Sequence, residues 1–323
     1  MIYDGLKTKI GDILEKECEG NVRAPDWNYE AIERIRNSFQ DEASRRQYEQ
    51  EIIYLALRDA GIGKAAMYSP CTNKQWQSAT LLAKILLDGF NFQRLDDWRI
   101  PKLEIPAGSQ SSHDMELYFQ ITTFIFEQYR YGKKVCIRDG DVVLDCGACV
   151  GDSAIWALSY GAASIHCFEP DTLNLAALNN NAARYGDGKI EIVPCAVGKD
   201  SGTVQFTHDY SNCGASKITE NAALDVATVP ATTATMIRID DYVKEHGIKP
   251  SFVKMDLEGG EMDALTGAKE TLIKYKPQLA VCLYHKPSDM WTIPELIQAI
   301  VPEYRYWCRK NNPACEFVLY AAI

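Results

Sequence analysis

Asp141-Val142-Val143-Leu144-Asp145-Cys146-Gly147-Ala148-Cys149-Val150-Gly151-Asp152-Ser153 decides the fold. An apolar, β-branched run ends in an acid, passes through the small residues Gly147, Ala148 and Gly151, and enters the helix-like pattern Ser153-Ala154-Ile155-Trp156-Ala157-Leu158. This is a strand, a tight turn and a helix start. A turn without bulky side chains lets a ligand approach the backbone, and the helix behind it points free N–H groups at the same place. In dinucleotide sites that arrangement holds a pyrophosphate. Here Asp145 at the strand end would repel a diphosphate but accept hydrogen bonds from an ammonium group, so a nucleoside carrying an amino acid fits better.

Eighteen residues after Gly151, a second strand Ala163-Ser164-Ile165-His166-Cys167-Phe168 closes on Glu169-Pro170. An acid at the tip of the second strand of a doubly wound sheet can take both ribose hydroxyls of an adenosine. The two features together predict a site for adenosine without phosphates, with Asp145, Gly147, Ala148, Gly151, Glu169 and Pro170 as its residues. Ala196, at the end of a third strand, would offer backbone groups to the adenine.

Outward from this core, strands and helices alternate, which predicts an α/β fold with a mainly parallel sheet. Strands are expected over 141–146, 163–168, 190–196, 252–257 and 279–284. An inserted hairpin is expected near 203–239, and an antiparallel terminal hairpin at 304–308 and 317–322. Residues 1–112 show apolar positions at three- and four-residue spacing, such as Ile32, Ile35, Phe39 and Tyr48, Ile52, Leu55, and form a helical region. The expected division is 1–112 helical, as lid, acceptor wall or dimer contact, and 113–323 catalytic.

The chain has 323 residues, a net charge of -10 and 11 cysteines. The acidic balance and the lack of a basic stripe argue against nucleic acid as partner. No apolar run reaches the ~20 residues that span a bilayer, and the amino terminus lacks a basic-then-apolar leader. The expectation is a cytosolic protein with no membrane partner and reduced, mostly buried thiols. Cys146 and Cys149 have a Cys-x-x-Cys spacing, but no second pair accompanies them and small residues in a tight turn explain them.

Ligands of open α/β sheets sit beyond the carboxyl ends of the strands, so Asp256, Glu258 and His285 join the candidates. Lys254, Asp256 and Glu258 alternate along strand four and are expected on one side of it. The bland alternative is an ion pair of Lys254 with Asp256 or Glu258 plus helix capping. Asp256 and Glu258 could orient a hydroxyl or, in a metal-dependent version, hold one hard cation; no metal site is assigned. His285 at a strand tip could take a proton from an alcohol, or simply cap the next helix. Tyr284 and Trp291 could wall an acceptor pocket, and His113 and Tyr118 could close over the cofactor.

The motifs Val-Leu-Asp-Cys-Gly-Ala-x-x-Gly (143–151), Phe-Glu-Pro (168–170), Ala-Val-Gly-Lys-Asp-Ser-Gly (196–202), Ile-Asp-Asp-Tyr (239–242) and Val-Lys-Met-Asp-Leu-Glu-Gly-Gly-Glu (253–261), in this order, resemble the FkbM-type methyltransferases. The resemblance covers roughly 113–323. It implies a Rossmann-like class I fold with a seven-stranded sheet, S-adenosylmethionine as cofactor, and methylation of a hydroxyl on a sugar or polyketide-like small molecule. It places Asp145, Gly147 and Gly151 on the cofactor turn, Glu169 on the ribose, and Asp256 and Glu258 on the strand-four motif. His285 first and Asp256 second are the expected general bases. A non-catalytic adenosine-binding protein is the alternative from another class. A nicotinamide-dependent oxidoreductase is disfavoured by the missing Gly-x-Gly-x-x-Gly.

Overall fold

The computed structural model describes residues 5–17, 23–62, 65–87, 101–106, 112–207, 213–218, 231–313 and 315–323. Parts of the expected helical region 1–112 and of the expected insertion lie outside these residues.

The chain opens with helices α1 (Gly5–Glu17), α2 (Tyr29–Ser38), α3 (Glu42–Asp59), α4 (Asn73–Leu87) and α5 (Ser112–Phe119), the last running into a π-helical turn, Gln120–Ile125. Asn28 and Asp41 cap α2 and α3 by accepting from the Ala31 and Ser44 N–H groups. Then follow β1 (Val142–Cys146), α6 (Asp152–Ser159), β2 (Ser164–Phe168), α7 (Thr172–Tyr185) and β3 (Ile190–Val193). The short strands β4 (Ala196–Val197), β5 (Gly202–Thr207), β6 (Lys217–Ile218) and β7 (Ala231–Ile237) precede α8 (Ile239–His246) and β8 (Phe252–Met255). Helices α9 (Glu261–Gly267) and α10 (Lys269–Tyr275), strand β9 (Gln278–Cys282), helix α11 (Asp289–Ile300) and strands β10 (Arg305–Lys310) and β11 (Phe317–Ala322) complete the chain.

The main sheet has the order β10-β11-β9-β8-β1-β2-β3. Strands β3, β2, β1, β8 and β9 are parallel, and β11 pairs antiparallel with both β9 and β10. The number of strands and the terminal hairpin are as the sequence predicts, but the strand expected over 190–196 ends at Val193, and Ala196 opens β4 of a second sheet. The chain winds from β1 outward through β2 and β3, then returns to β8 on the other side of β1. Strand order therefore reverses between β1 and β8, and the crevice beyond their carboxyl ends is where a ligand belongs.

The insertion is larger than a hairpin. Strands β4, β7, β5 and β6 form a second, four-stranded sheet in which β4 is parallel to β7. Helices α9 and α10 meet at Ala268, where φ is -108°. Strand β8 stops at Met255, short of the predicted Leu257, because its next residues turn: Glu258 has φ +52° and Gly259 φ +97°.

Alternate residues of the sheet feed two cores. Leu144, Val253, Leu279, Val281 and Leu319 pack on one face with Ile32, Ile35, Tyr48, Ile52, Leu265 and Ile297. Val143, Ile165, Phe252, Ala280 and Tyr320 pack on the other with Tyr129, Trp156 and Leu178. Helices α2 and α3 thus share a core with the sheet, so the boundary expected near residue 112 does not coincide with a break in packing. Among the described residues no helix is long and apolar enough to cross a membrane, and none of the described cysteines is bridged.

Candidate active site

The turn after β1 is built as the sequence predicts, with both glycines left-handed: Gly147 at φ +80° and Gly151 at φ +85°. A methyl group added at Gly147 would stand 1.9 Å from the Asp256 carbonyl oxygen. The turn therefore needs glycine so that β1 and β8 can close against each other. Three of the turn's own N–H groups are used within the protein. Gly147 and Ala148 both donate to the Phe168 carbonyl, at 3.0 and 3.1 Å, and Cys149 donates to Glu169 Oε2 at 2.8 Å.

Asp145 is buried and lines neither of the two clefts at the strand ends. Its Oδ1 lies 3.1 Å from Lys254 Nζ, and its Oδ2 accepts from Ser153 Oγ at 2.6 Å. The ammonium that Asp145 holds is the protein's own. The parallel register pairs Asp145 with Lys254 across β1 and β8, so the ion pairs of Lys254 with Asp256 or Glu258 do not form. Nor do Lys254, Asp256 and Glu258 share one side by alternation, since the strand has ended before Asp256. Lys254 also donates to the Gly147 carbonyl at 2.5 Å.

One cleft, of about 560 Å³, runs along the tips of β1, β2 and β4. Gly147, Glu169, Pro170, Ala196, Asp256 and Glu258 all line it, with Phe168, Val197 and Phe206 as apolar walls. Glu169 is fixed by two N–H donors, Cys149 on Oε2 and Asp171 on Oε1, each at 2.8 Å. Burial pushes its pKa up to about 7 against the pull of those two donors. No lysine or arginine is among the described residues lining this cleft.

A second cleft, of about 940 Å³, lies on the other side of the turn. Tyr118, Phe119, Tyr129 and Tyr284 give it aromatic walls, and Asp152 and Glu316 add carboxyls. Burial raises the pKa of Asp152 to about 6, against the donated bond from Thr123, and that of Glu316 to about 8. Tyr118 donates a short hydrogen bond to Glu316. Tyr284 thus walls the second cleft, Tyr118 sits there too rather than over the first, Trp291 lines neither, and the side chain of His113 lies outside the described residues.

The two clefts share Gly147, Cys149, Gly214, Asp256 and Glu258. Asp256 is held at this seam by hydroxyl donors, Tyr284 to Oδ1 at 2.9 Å and Tyr129 to Oδ2 at 3.2 Å. His285 stands behind it and lines neither cleft. Its Nε2 is 3.5 Å from Asp256 Oδ1 and 3.4 Å from Glu258 Oε1, and its Nδ1 is 2.9 Å from Glu261 Oε1. Burial works against charge on the ring, but Glu261, followed by Glu258 and Asp256, outweighs it and holds the imidazole pKa well above the ordinary value. The ring thus stands behind the carboxylates and not in a cleft, where the strand-tip position suggested a proton acceptor.

Ala148 and Gly151 are backbone elements of the turn and line neither cleft. Sequence reasoning missed Glu316, Asp152 and Tyr129 as cleft residues, and Glu261 as more than a helix cap. For Glu316 a signal was present: it is a lone acid directly before the wholly apolar strand Phe317–Ala322.

A seven-stranded sheet with this order, a glycine turn after β1 and an acid at the tip of β2 defines a Rossmann-like methyltransferase of class I. Residues 145–308 match the methyltransferase FkbM domain, and the chain belongs to that family. It is similar to the 31-O-demethyl-FK506 methyltransferase FkbM of Streptomyces tacrolimicus, at 25% identity over 201 residues, 53% of this chain and 76% of that protein. Among solved structures, methyltransferase FkbM from Methylobacillus flagellatus KT superposes with a TM-score of 0.57 at 20% identity, over 91% of this chain and 58% of that one. The chain thus spans little more than half the length of that structure.

Proposed function

We propose that the protein transfers the methyl group of S-adenosylmethionine to a hydroxyl oxygen of a sugar or polyketide-like small molecule. The observation that carries this is the pair of clefts meeting at Asp256 and Glu258. One suits a nucleoside, the other an acceptor, and a group can pass between them at that seam.

The first cleft fits an adenosine without phosphates. Each oxygen of Glu169 takes one backbone N–H and keeps a lone pair for a ribose hydroxyl. Ala196 and Val197 offer backbone groups and Phe168 an apolar wall to the base. The absence of lysine and arginine among the lining residues disfavours a pyrophosphate, and with it a nicotinamide dinucleotide. S-adenosylmethionine brings a methyl group already activated on a sulfonium. The chain has to align an oxygen behind that methyl and keep water out, which supplies most of the rate.

Asp256, fixed by two tyrosine hydroxyls, and Glu258 orient the acceptor hydroxyl and take up its proton as the oxygen attacks. His285 acts through them as a positioning residue. The aromatic and carboxyl lining of the second cleft suits a polyhydroxylated molecule, whose C–H faces stack on rings and whose hydroxyls donate to carboxylates. The Streptomyces relative is named for an O-demethyl substrate, in keeping with oxygen as the acceptor.

Calorimetric titration with S-adenosylmethionine and S-adenosylhomocysteine, beside Glu169→Ala and an NAD control, tests the cofactor. Both ligands should bind, the variant should lose them, and NAD should give no heat. A folded protein that binds neither ligand would sink the proposal.

A further inference from the structure

We propose that Asp256, Glu258 and His285 form a binding site for one first-row divalent cation, with Glu261 orienting the imidazole. One donor atom from each of the three residues lies within 4.8 Å of the others. The His285 side chain is only 6% exposed. Its Nε2 has no hydrogen bond of good geometry among the described residues, although it faces Asp256 and Glu258. A buried imidazole left in that state is costly unless something else uses its lone pair.

The spacing suits a shared cation better than direct pairing. Nε2 lies 3.5 and 3.4 Å from the two carboxylate oxygens, beyond good hydrogen-bond length. Donor atoms bound about 2.1 Å from one metal ion stand roughly 3.0–3.4 Å apart. The other nitrogen completes the pattern of a metal-ligating histidine, whose second ring nitrogen meets a carboxylate that fixes the ring. Nδ1 is 2.9 Å from Glu261 Oε1, an oxygen anchored in turn by the Leu257 N–H at 2.7 Å.

The surroundings hold this geometry and leave it short of positive charge. Lys286 donates to the Gly259 carbonyl at 2.8 Å and so clamps the turn that carries Glu258. Lys254 is the one cationic residue among those lining the two clefts, and its partner is Asp145. Two carboxylates with one imidazole suit Mn²⁺ or a neighbouring first-row ion better than Mg²⁺, which prefers oxygen donors alone.

The part such an ion plays in catalysis rests on the methyl-transfer reading above; the site itself does not. At the seam the ion would make an acceptor hydroxyl more acidic. The hydroxyl proton would leave to a carboxylate oxygen of Asp256 or Glu258 that the ion does not use, the oxygen would bond to the methyl carbon, and the C–S bond would break to leave a neutral thioether.

The test is titration of the chelator-treated full-length chain with Mn²⁺, followed by electron paramagnetic resonance, with S-adenosylhomocysteine titrated into the same samples. One Mn²⁺ per chain is expected, with electron-spin-echo modulation from a ¹⁴N ligand. Glu258→Gln and His285→Gln should weaken binding more than tenfold, and Glu261→Gln about tenfold, with folding followed by circular dichroism. No stoichiometric binding, bound Mn²⁺ without ¹⁴N coupling, or binding unchanged in folded variants would overturn the site. The ¹⁴N signal of the unaltered chain decides the matter even if a variant does not fold. S-adenosylhomocysteine binding without Mn²⁺ binding would remove the cation site and leave the methyl-transfer reading, and the reverse pattern would do the opposite.

Discussion

Lys254 Nζ sits 3.1 Å from Asp145 Oδ1 between two strands of the central sheet, with both side chains at least nine-tenths buried. Asp145 thereby neutralises the lysine that pins the Gly147 carbonyl. Lys254→Met would leave a buried carboxylate without its counter-charge and should cost about 3–5 kcal/mol. Adding Asp145→Asn should recover a large part of that loss. Urea denaturation of the two single variants and the double variant gives the coupling directly. Additive losses would show that the two charges do not depend on each other.

On the proposed reading, Glu169 should make adenosine binding depend on pH. Ribose hydroxyls donate, so the ligand binds the ionised carboxylate, and burial has raised this group to about 7. Above that value the carboxylate is already charged. Below it, binding must first expel a proton, so affinity falls as pH falls. Between pH 8 and pH 6 the dissociation constant for S-adenosylhomocysteine should rise about tenfold. Glu169→Gln should bind more weakly at pH 8 and show no such slope. A slope that survives in the variant would assign the titration to another group.

What the sequence disclosed was chemistry that is local. The β1 turn and Glu169 were legible because a strand, small residues and an acid follow one another at fixed spacing, and the terminal hairpin because two apolar runs flank Asn311-Asn312-Pro313. The partner of Asp145 was not legible, since it depends on the register between β1 and β8, strands far apart in sequence. The environment of His285 was hidden for a different reason. It depends on a left-handed residue at Glu258, which ends the strand early and turns Glu258 and Glu261 onto one imidazole. The spacing of Ile32, Tyr48 and Ile52 marked helices correctly but could not say that their apolar faces cover the sheet.

Gly147 should be the least replaceable residue of the turn. An alanine there carries both the strain of φ +80° and a methyl 1.9 Å from the Asp256 carbonyl oxygen, which belongs to backbone and cannot swing away. Gly188, at φ +70° with nothing within 4 Å of the added methyl, supplies strain without collision. Gly188→Ala should cost about 1 kcal/mol, and Gly147→Ala about 3–5 kcal/mol once overpacking is added. Gly151→Ala falls between them, because its obstacle is the Leu178 Cδ1 atom at 2.6 Å, the end of a side chain. Thermal melts of the three variants should follow that order. Equal losses at Gly147 and Gly188 would mean that β1 and β8 are less tightly closed than described.

Glu51 and Lys310 join the first helices to the last hairpin. Lys310 Nζ donates to Glu51 Oε1 at 2.7 Å, with side chains 0% and 1% exposed, and lies 4.9 Å from the centre of the Tyr54 ring. Burial outweighs the lysine and leaves the Glu51 pKa above its ordinary value, so the pair stabilises less than its geometry suggests. Removing one partner is a different matter. Lys310→Met should destabilise by about 3–5 kcal/mol, whereas Glu51→Leu with Lys310→Met should come close to the unaltered protein, because two apolar side chains need no counter-charge. Chemical denaturation should also show one cooperative transition by both tryptophan fluorescence and circular dichroism, since α3 and β10 belong to one core. Two separated transitions would instead mean that the amino-terminal helices fold as a unit of their own.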